Sequence, residues 1–235
     1  MAALMSSVME NVNKFSEYIL NCRRMMNIAI LPPDINEGES GFSVSDGGIR
    51  YGLSAIKSVG KPVVDAILEE RDKNGVFLTM EDFVNRMTHR EVNRRTLENF
   101  IKSGALDSLP GTRRQKMAVA PVLLDNKAKE RRNAFEGQLS LFDIAGEEEK
   151  KEFQVTFPDV GEYAKAELLA FEKEILGVYI SGHPLDDYEP LWRKNITAAA
   201  SDFIVDEDTE EAVVRDGVKA VIGGLVTGKT VKTTR

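Results

Sequence analysis

The sequence predicts a mainly α protein, and three observations carry that expectation. Two helix–glycine turn–helix units lie about 45 residues apart, around Gly60 and Gly104. Apolar residues recur at helical spacing from the start of the chain, as in Val8, Val12, Phe15, Tyr18, Ile19 and Cys22. β character is confined to a short hairpin over residues 42–51 and a Val-, Thr- and Gly-rich stretch from Gly217 to Arg235.

Each element has a local reason. The opening helix, with Met1, Met5 and Met9 at its start, reads as the middle of a domain. It stops before Leu31-Pro32-Pro33, because proline opposes helix and pushes the preceding residue to an extended conformation. Phe42-Ser43-Val44, Asp46-Gly47-Gly48 and Ile49-Arg50-Tyr51 read as strand, turn, strand. Helices are expected over about 53–57, 61–73, 79–87, 93–102 and 112–132. Pro62 suits the first turn of the second, and Asn74-Gly75 closes it. Thr79 followed by Glu81 and Asp82 is an N-cap signal, and Thr112 is placed to cap a basic helix. The two helix–turn–helix units, paired, would bury apolar faces that neither buries alone. Residues 143–152 lose periodicity and read as a charged linker, and a helix follows from Tyr163 to Leu176. The stretch from Gly217 holds about one and a half strands; a lone strand is unstable, so it reads as the start of a further domain.

The first turn carries the most chemistry. In Lys57-Ser58-Val59-Gly60-Lys61 a tight glycine turn meets a helix N-terminus, leaving the N–H groups of Val59, Gly60 and Lys61 directed outward. With Lys57 and Lys61 alongside, that is a seat for a phosphate. Nothing in it can read a base edge, so any nucleic acid would be held by its backbone. An ordinary helical bundle turn is the alternative. The echo at Lys102-Ser103-Gly104, followed by Arg113 and Arg114, favours the phosphate reading.

Charge is distributed accordingly. The chain has net charge −7, but residues 49–132 hold 17 Lys and Arg against 11 Asp and Glu, a net of +6 that leaves −13 elsewhere. A basic block thus sits inside an acidic chain, whose runs at Glu147–Glu149 and Asp206–Asp208 read as solvated linker and loop. One cysteine, Cys22, excludes an internal disulfide and suits a reducing cytoplasm; two histidines, His89 and His183, make no metal cluster. Cys22 reads as an ordinary helix residue and His183 as a structural loop residue. No apolar run is long enough to span a membrane, and the N-terminus has no signal-peptide pattern. Gly223 to Thr230 match the P-loop pattern letter for letter, but Val231, Thr233 and Thr234 after them are β-branched and poorly suited to the helix the motif requires. A nucleotidase is rejected on that ground.

Gln138-Leu139-Ser140-Leu141-Phe142 lies between the basic helix and the acidic linker. Leu141 and Phe142 have no periodic partners. Two readings stand: a peptide that plugs an apolar pocket on a partner, with Gln138 as a polar anchor, or a segment folded back on the helical core.

Several segments together resemble one family. These are Met1-Ala2-Ala3-Leu4-Met5, Leu31-Pro32-Pro33-Asp34-Ile35-Asn36, Ile49-Arg50-Tyr51-Gly52-Leu53, Ser103-Gly104-Ala105-Leu106-Asp107, and Leu176 to Leu185 with its Ser181-Gly182-His183-Pro184. In order, they resemble the C-family replicative DNA polymerases of bacteria, the family of the DNA polymerase III alpha subunit. The resemblance implies that residues 1–48 end the fingers domain and that 49–132 form a tandem helix-hairpin-helix domain gripping duplex DNA. It implies that 133–152 hold a sliding-clamp-binding motif, Gln138 to Phe142, and a linker, that 153–216 are a helical connector, and that 217–235 are truncated opening strands of an OB-fold. DNA contacts would fall on Lys57, Ser58, Val59, Gly60, Lys61, Lys102, Ser103, Gly104, Arg113 and Arg114. The parent would be a DNA-directed DNA polymerase using Mg2+, with other replicative subunits as partners. This stretch would lack the catalytic palm, hold no catalytic or metal-binding residue and need no cofactor. A free-standing helix-hairpin-helix DNA-binding protein without enzymatic activity is the alternative.

Overall fold

The computed structural model describes residues 1–8, 12–87, 92–135, 156–205, 211–226 and 229–231. The chain divides into two compact units, Met1–Ser181 and Gly182–Arg235. In the first, α1 (Ala2–Ser7) and α2 (Val12–Arg24) precede three short strands, β1 (Ala29–Leu31), β2 (Ser43–Ser45) and β3 (Gly48–Arg50). A single 3-10 turn at Leu53–Ala55 leads to α3 (Lys61–Asn74), α4 (Met80–Arg86), α5 (Arg94–Ser103), α6 (Arg113–Phe135) and α7 (Lys165–Leu176). The mainly α architecture with a small β element is therefore the one the sequence predicts.

β2 and β3 form the expected antiparallel hairpin, turning at Gly47 with φ 91°. Periodicity over three residues is too short to announce β1, which pairs parallel to β3 and sets Ile30 opposite Ile49, both buried. The boundary expected at residue 48 therefore falls inside a sheet. The loop after β1 binds still more of the first unit together. Asp34 Oδ1 accepts the N–H groups of Asn36 and Glu37 at 2.7 and 3.1 Å, and buried Ile35 donates its N–H to Ala105 O at 3.0 Å. Asn36 pairs reciprocally with the backbone of Phe77, at 2.9 and 2.8 Å. The Arg71 guanidinium from α3 donates to the carbonyls of Asn36 and Gly38 at 3.1 and 2.7 Å.

Helix ends follow their sequence signals. Thr79 Oγ1 accepts the Asp82 N–H at 3.0 Å, and Asn93 Oδ1 accepts the Thr96 N–H at 3.0 Å. Thr112 and Gln115 cap α6 reciprocally, each side chain accepting the other's N–H at 3.2 and 2.9 Å. Lys127 of α6 donates to the carbonyls of Val84, Asn85 and Met87, covering the open C-terminal end of α4. One apolar core runs through this unit, with Phe15, Phe42 and Tyr51 clustered near the sheet and Phe77, Phe83 and Phe100 meeting edge to face between the helices. Cys22 lies in that core, fully buried, and burial pushes its thiol pKa up.

The second unit holds a 3-10 turn at Asp186–Tyr188, α8 (Glu189–Asn195) and a 3-10 turn at Ala200–Phe203. His183 forms a local turn here, accepting the Leu185 N–H on Nδ1 at 3.1 Å. From Gly217 onward the described residues include no strand, a correction to the β reading of this stretch. A strand needs a partner ladder, and Val221 instead bonds with the loop after α8: its carbonyl accepts the N–H groups of Thr197 at 2.9 Å and Ala198 at 3.4 Å, and its own N–H donates to Thr197 Oγ1 at 2.9 Å. Gly223 of the P-loop match lies on Trp192, where an added Cβ would come within 2.8 Å of the indole ring. Its lack of a side chain serves packing at that point. Thr227 and Gly228 of the match, and Gln138 to Phe142, lie outside the described residues.

Candidate nucleic-acid interface

The first hairpin is anchored from below and open above. Ile56 and Val59 are buried, while Lys57, Ser58, Gly60 and Lys61 are exposed. Ser58 takes the left-handed conformation, φ 62°, which turns the chain sharply between the two anchors. Two further bonds hold the turn: the Lys57 N–H donates to Ile175 O at 3.1 Å, and buried Asn99 of α5 donates from Nδ2 to Lys57 O at 2.7 Å. Asn99 thus ties the second helix–turn–helix unit to the loop of the first.

The donor set is smaller than the sequence suggests. The Val59 N–H is spent on Ile56 O at 3.1 Å and its side chain is buried, so Val59 is a foundation of the turn and not a contact. Gly60 is the N-cap of α3 with no side-chain cap, and Val63 and Val64 donate to Gly60 O at 3.0 and 3.3 Å. The N–H groups of Gly60 and Lys61 find no acceptor among the described residues. They point out at the positive end of a 14-residue helix, which favours an anion. The Lys61 ammonium lies 2.7 Å from Asp65 one turn on, an exposed i,i+4 pair that water screens and an incoming phosphate can replace.

The second hairpin departs from its expected role. Ser103 and Gly104 are buried, and Ser103 Oγ donates to Phe100 O at 3.1 Å. Gly104 ends α5 in the left-handed conformation. Arg113 is buried and structural: its guanidinium pairs with Asp107 at 2.6 Å and reaches Lys102 O at 3.2 Å. Lys102 is mostly covered, with its ammonium 3.1 Å from Glu174 and 5.3 Å from the Phe171 ring centre. Of these predicted contacts only Arg114 is exposed, and its guanidinium lies 5.9 Å from the centre of the Tyr163 ring.

Glu162 was invisible as a functional residue in the sequence, being a single acid between Gly161 and Tyr163. Its carboxylate accepts the N–H groups of Arg113 at 2.8 Å, Arg114 at 3.2 Å and Tyr163 at 2.7 Å. Partial burial pushes its pKa up, but those N–H donors and the Arg113 guanidinium outweigh it and hold the carboxyl below the usual glutamate range. Glu172, fully buried on α7, accepts the N–H groups of Ile180 and Ser181 at 2.8 and 3.0 Å and so fixes the turn after Tyr179. Among the described residues no group of three or more His, Cys, Asp or Glu side chains is placed to hold a metal ion, and no helix is long and apolar enough to cross a membrane.

Known proteins share this arrangement's sequence. Residues 27–116 match the family model described as a helix-hairpin-helix motif, beginning well before residue 49 and so including β1 and the loop after it. The alpha subunit of DNA polymerase III from Borreliella burgdorferi is 37% identical over 235 residues, all of this chain and 20% of the relative. That of Vibrio cholerae is 34% identical over 236 residues, 100% of this chain and 20% of the relative. That of Campylobacter jejuni is 44% identical over 204 residues, 80% of this chain and 16% of the relative. The chain thus spans about one-fifth of the length of the curated relatives it matches. Along its whole length the chain is similar to a segment of the alpha subunits of bacterial DNA polymerase III, and its residues 27–116 match the helix-hairpin-helix family model.

Proposed function

We propose that this chain is a DNA-binding and clamp-attaching segment of a bacterial replicative DNA polymerase, gripping duplex DNA by its phosphate backbone. The observation that carries the DNA reading is the open N-terminus of α3, where the Gly60 and Lys61 N–H groups stand between the exposed Lys57 and Lys61 side chains. Such a site holds a phosphate whatever the base sequence. Polymerisation, with Mg2+, would be the activity of the whole alpha subunit; no residue of this segment is assigned to it. The full-length match to a fifth of each polymerase subunit supports the segment reading over a free-standing helix-hairpin-helix protein.

The finer parts of the proposal rest on sequence alone. Gln138 to Phe142 would plug a sliding clamp and the cytoplasm would be the setting, with other replicative subunits as partners. The deciding experiment for DNA is a salt titration of duplex affinity. Lys57→Glu with Lys61→Glu should weaken binding to all sequences alike and flatten the dependence of log affinity on log salt. Unchanged affinity at low salt would remove the first hairpin from the interface, and sharp preference for one sequence would contradict backbone reading.

A further inference from the structure

The two hairpins of the tandem treat their helix N-termini in opposite ways. At α3 the Gly60 and Lys61 N–H groups are open; at α6 every early donor is engaged. Glu162 takes the Arg113 and Arg114 N–H groups at 2.8 and 3.2 Å, Thr112 Oγ1 takes that of Gln115 at 3.2 Å, and Thr112 O takes that of Lys116 at 2.9 Å. The Glu162 carboxylate therefore spans two successive N–H groups at the positive end of a long helix, the place and charge a phosphate would have. The neighbouring cation is matched as well, since Glu174 lies 3.1 Å from Lys102. The segment supplying both acids is fastened to the same hairpin by a third contact, Gln115 Nε2 to Pro158 O at 3.1 Å.

We propose that Glu162, assisted by Glu174, stands in for a backbone phosphate at the second hairpin, so that this half of the tandem holds residues 156–176 and only the first half takes DNA. The inference rests on reading the first hairpin as a phosphate grip. A carboxylate tethered in the same chain faces a high effective concentration of its own binding site, which a phosphate from solution must overcome. A phosphate entering beside it would also meet a like charge at close range. Hairpin geometry is thereby used twice: once to bind a nucleic acid, once to anchor the chain that follows.

The test is a titration of the full 235-residue chain with inorganic phosphate, read from the backbone amide resonances of Gly60, Lys61, Arg113 and Arg114. In the unsubstituted protein the first pair should shift and the second should not. In Glu162→Gln, whose side-chain amide still offers one acceptor oxygen, Arg113 and Arg114 should shift too. Shifts at Arg113 and Arg114 in the unsubstituted protein, or none there in the variant, overturn the inference. A second measurement needs no change at Glu162. Arg114→Gln should leave the salt slope of duplex binding unaltered, while Lys57→Gln lowers it by about 1. An equal loss of slope with Arg114→Gln places the second hairpin on DNA and overturns the inference. If Lys57→Gln leaves DNA binding untouched, the first-hairpin reading fails, and the amide shifts of Arg113 and Arg114 still decide the second.

Discussion

Gly104 holds φ at 83°, and a Cβ built there would approach Arg113 Nη2 to 2.3 Å and Asp107 Oδ2 to 2.9 Å. Left-handed backbone costs an L-residue roughly 1–2 kcal/mol, and the clash with the Arg113–Asp107 pair adds to it. Gly104→Ala should therefore cost at least that much unfolding free energy, seen as a lower urea midpoint at unchanged slope; an unchanged midpoint would show that the turn relaxes. Glu162 supports a prediction in pH. Its folded carboxyl titrates below its ordinary value, so its stabilisation is complete above that value and is lost as pH falls through the lower, folded one. Thermal unfolding of the unsubstituted chain should show an acid-side loss, starting below about pH 4.5, that Glu162→Gln reduces. Equal losses in the two proteins would mean that the carboxylate is not held at the α6 N-terminus.

At the scale of elements, most helices are local facts. Asn93 caps α5 through Thr96, and Asn93→Ala should cost about 1 kcal/mol of stability, measured as a shift in denaturation midpoint. The same change should leave phosphate shifts at Gly60 and Lys61 in place, because α3 has its own anchors in Ile56 and Val59. β1 is a different case. Three residues, Ala29–Leu31, are too few to show a period, and their pairing with β3 depends on residues almost twenty positions away. The stretch from Gly217 makes the converse point: β-branched composition is present, but among the described residues there none forms a strand, and Val221 pairs with Thr197 and Ala198 instead.

For the whole molecule, the proposed DNA grip and the proposed clamp peptide share no residue, so their losses should be separable. Replacing Leu141 and Phe142 by alanine should nearly abolish co-elution with a sliding clamp, since truncating paired anchors of this kind typically costs about 2 kcal/mol or more each. Duplex affinity should survive; if both fell together, Leu141 and Phe142 would be core residues and not a docking peptide. The sequence by itself determined the helices from 61 to 132, the caps at Thr79 and Thr112, the β2–β3 turn, the basic central block and the tight turn before Lys61, because each depends on residues close by in the chain. Only the tertiary structure decided which half of the tandem stays open. Ser103, Gly104 and Arg113 have the right types for a phosphate site, yet burial, together with Asp107 and the distant acids Glu162 and Glu172 around Arg113, assigns them to the interior. Glu162 lies 49 positions after Arg113, a separation at which spacing carries no signal and that only folding of the intervening chain closes.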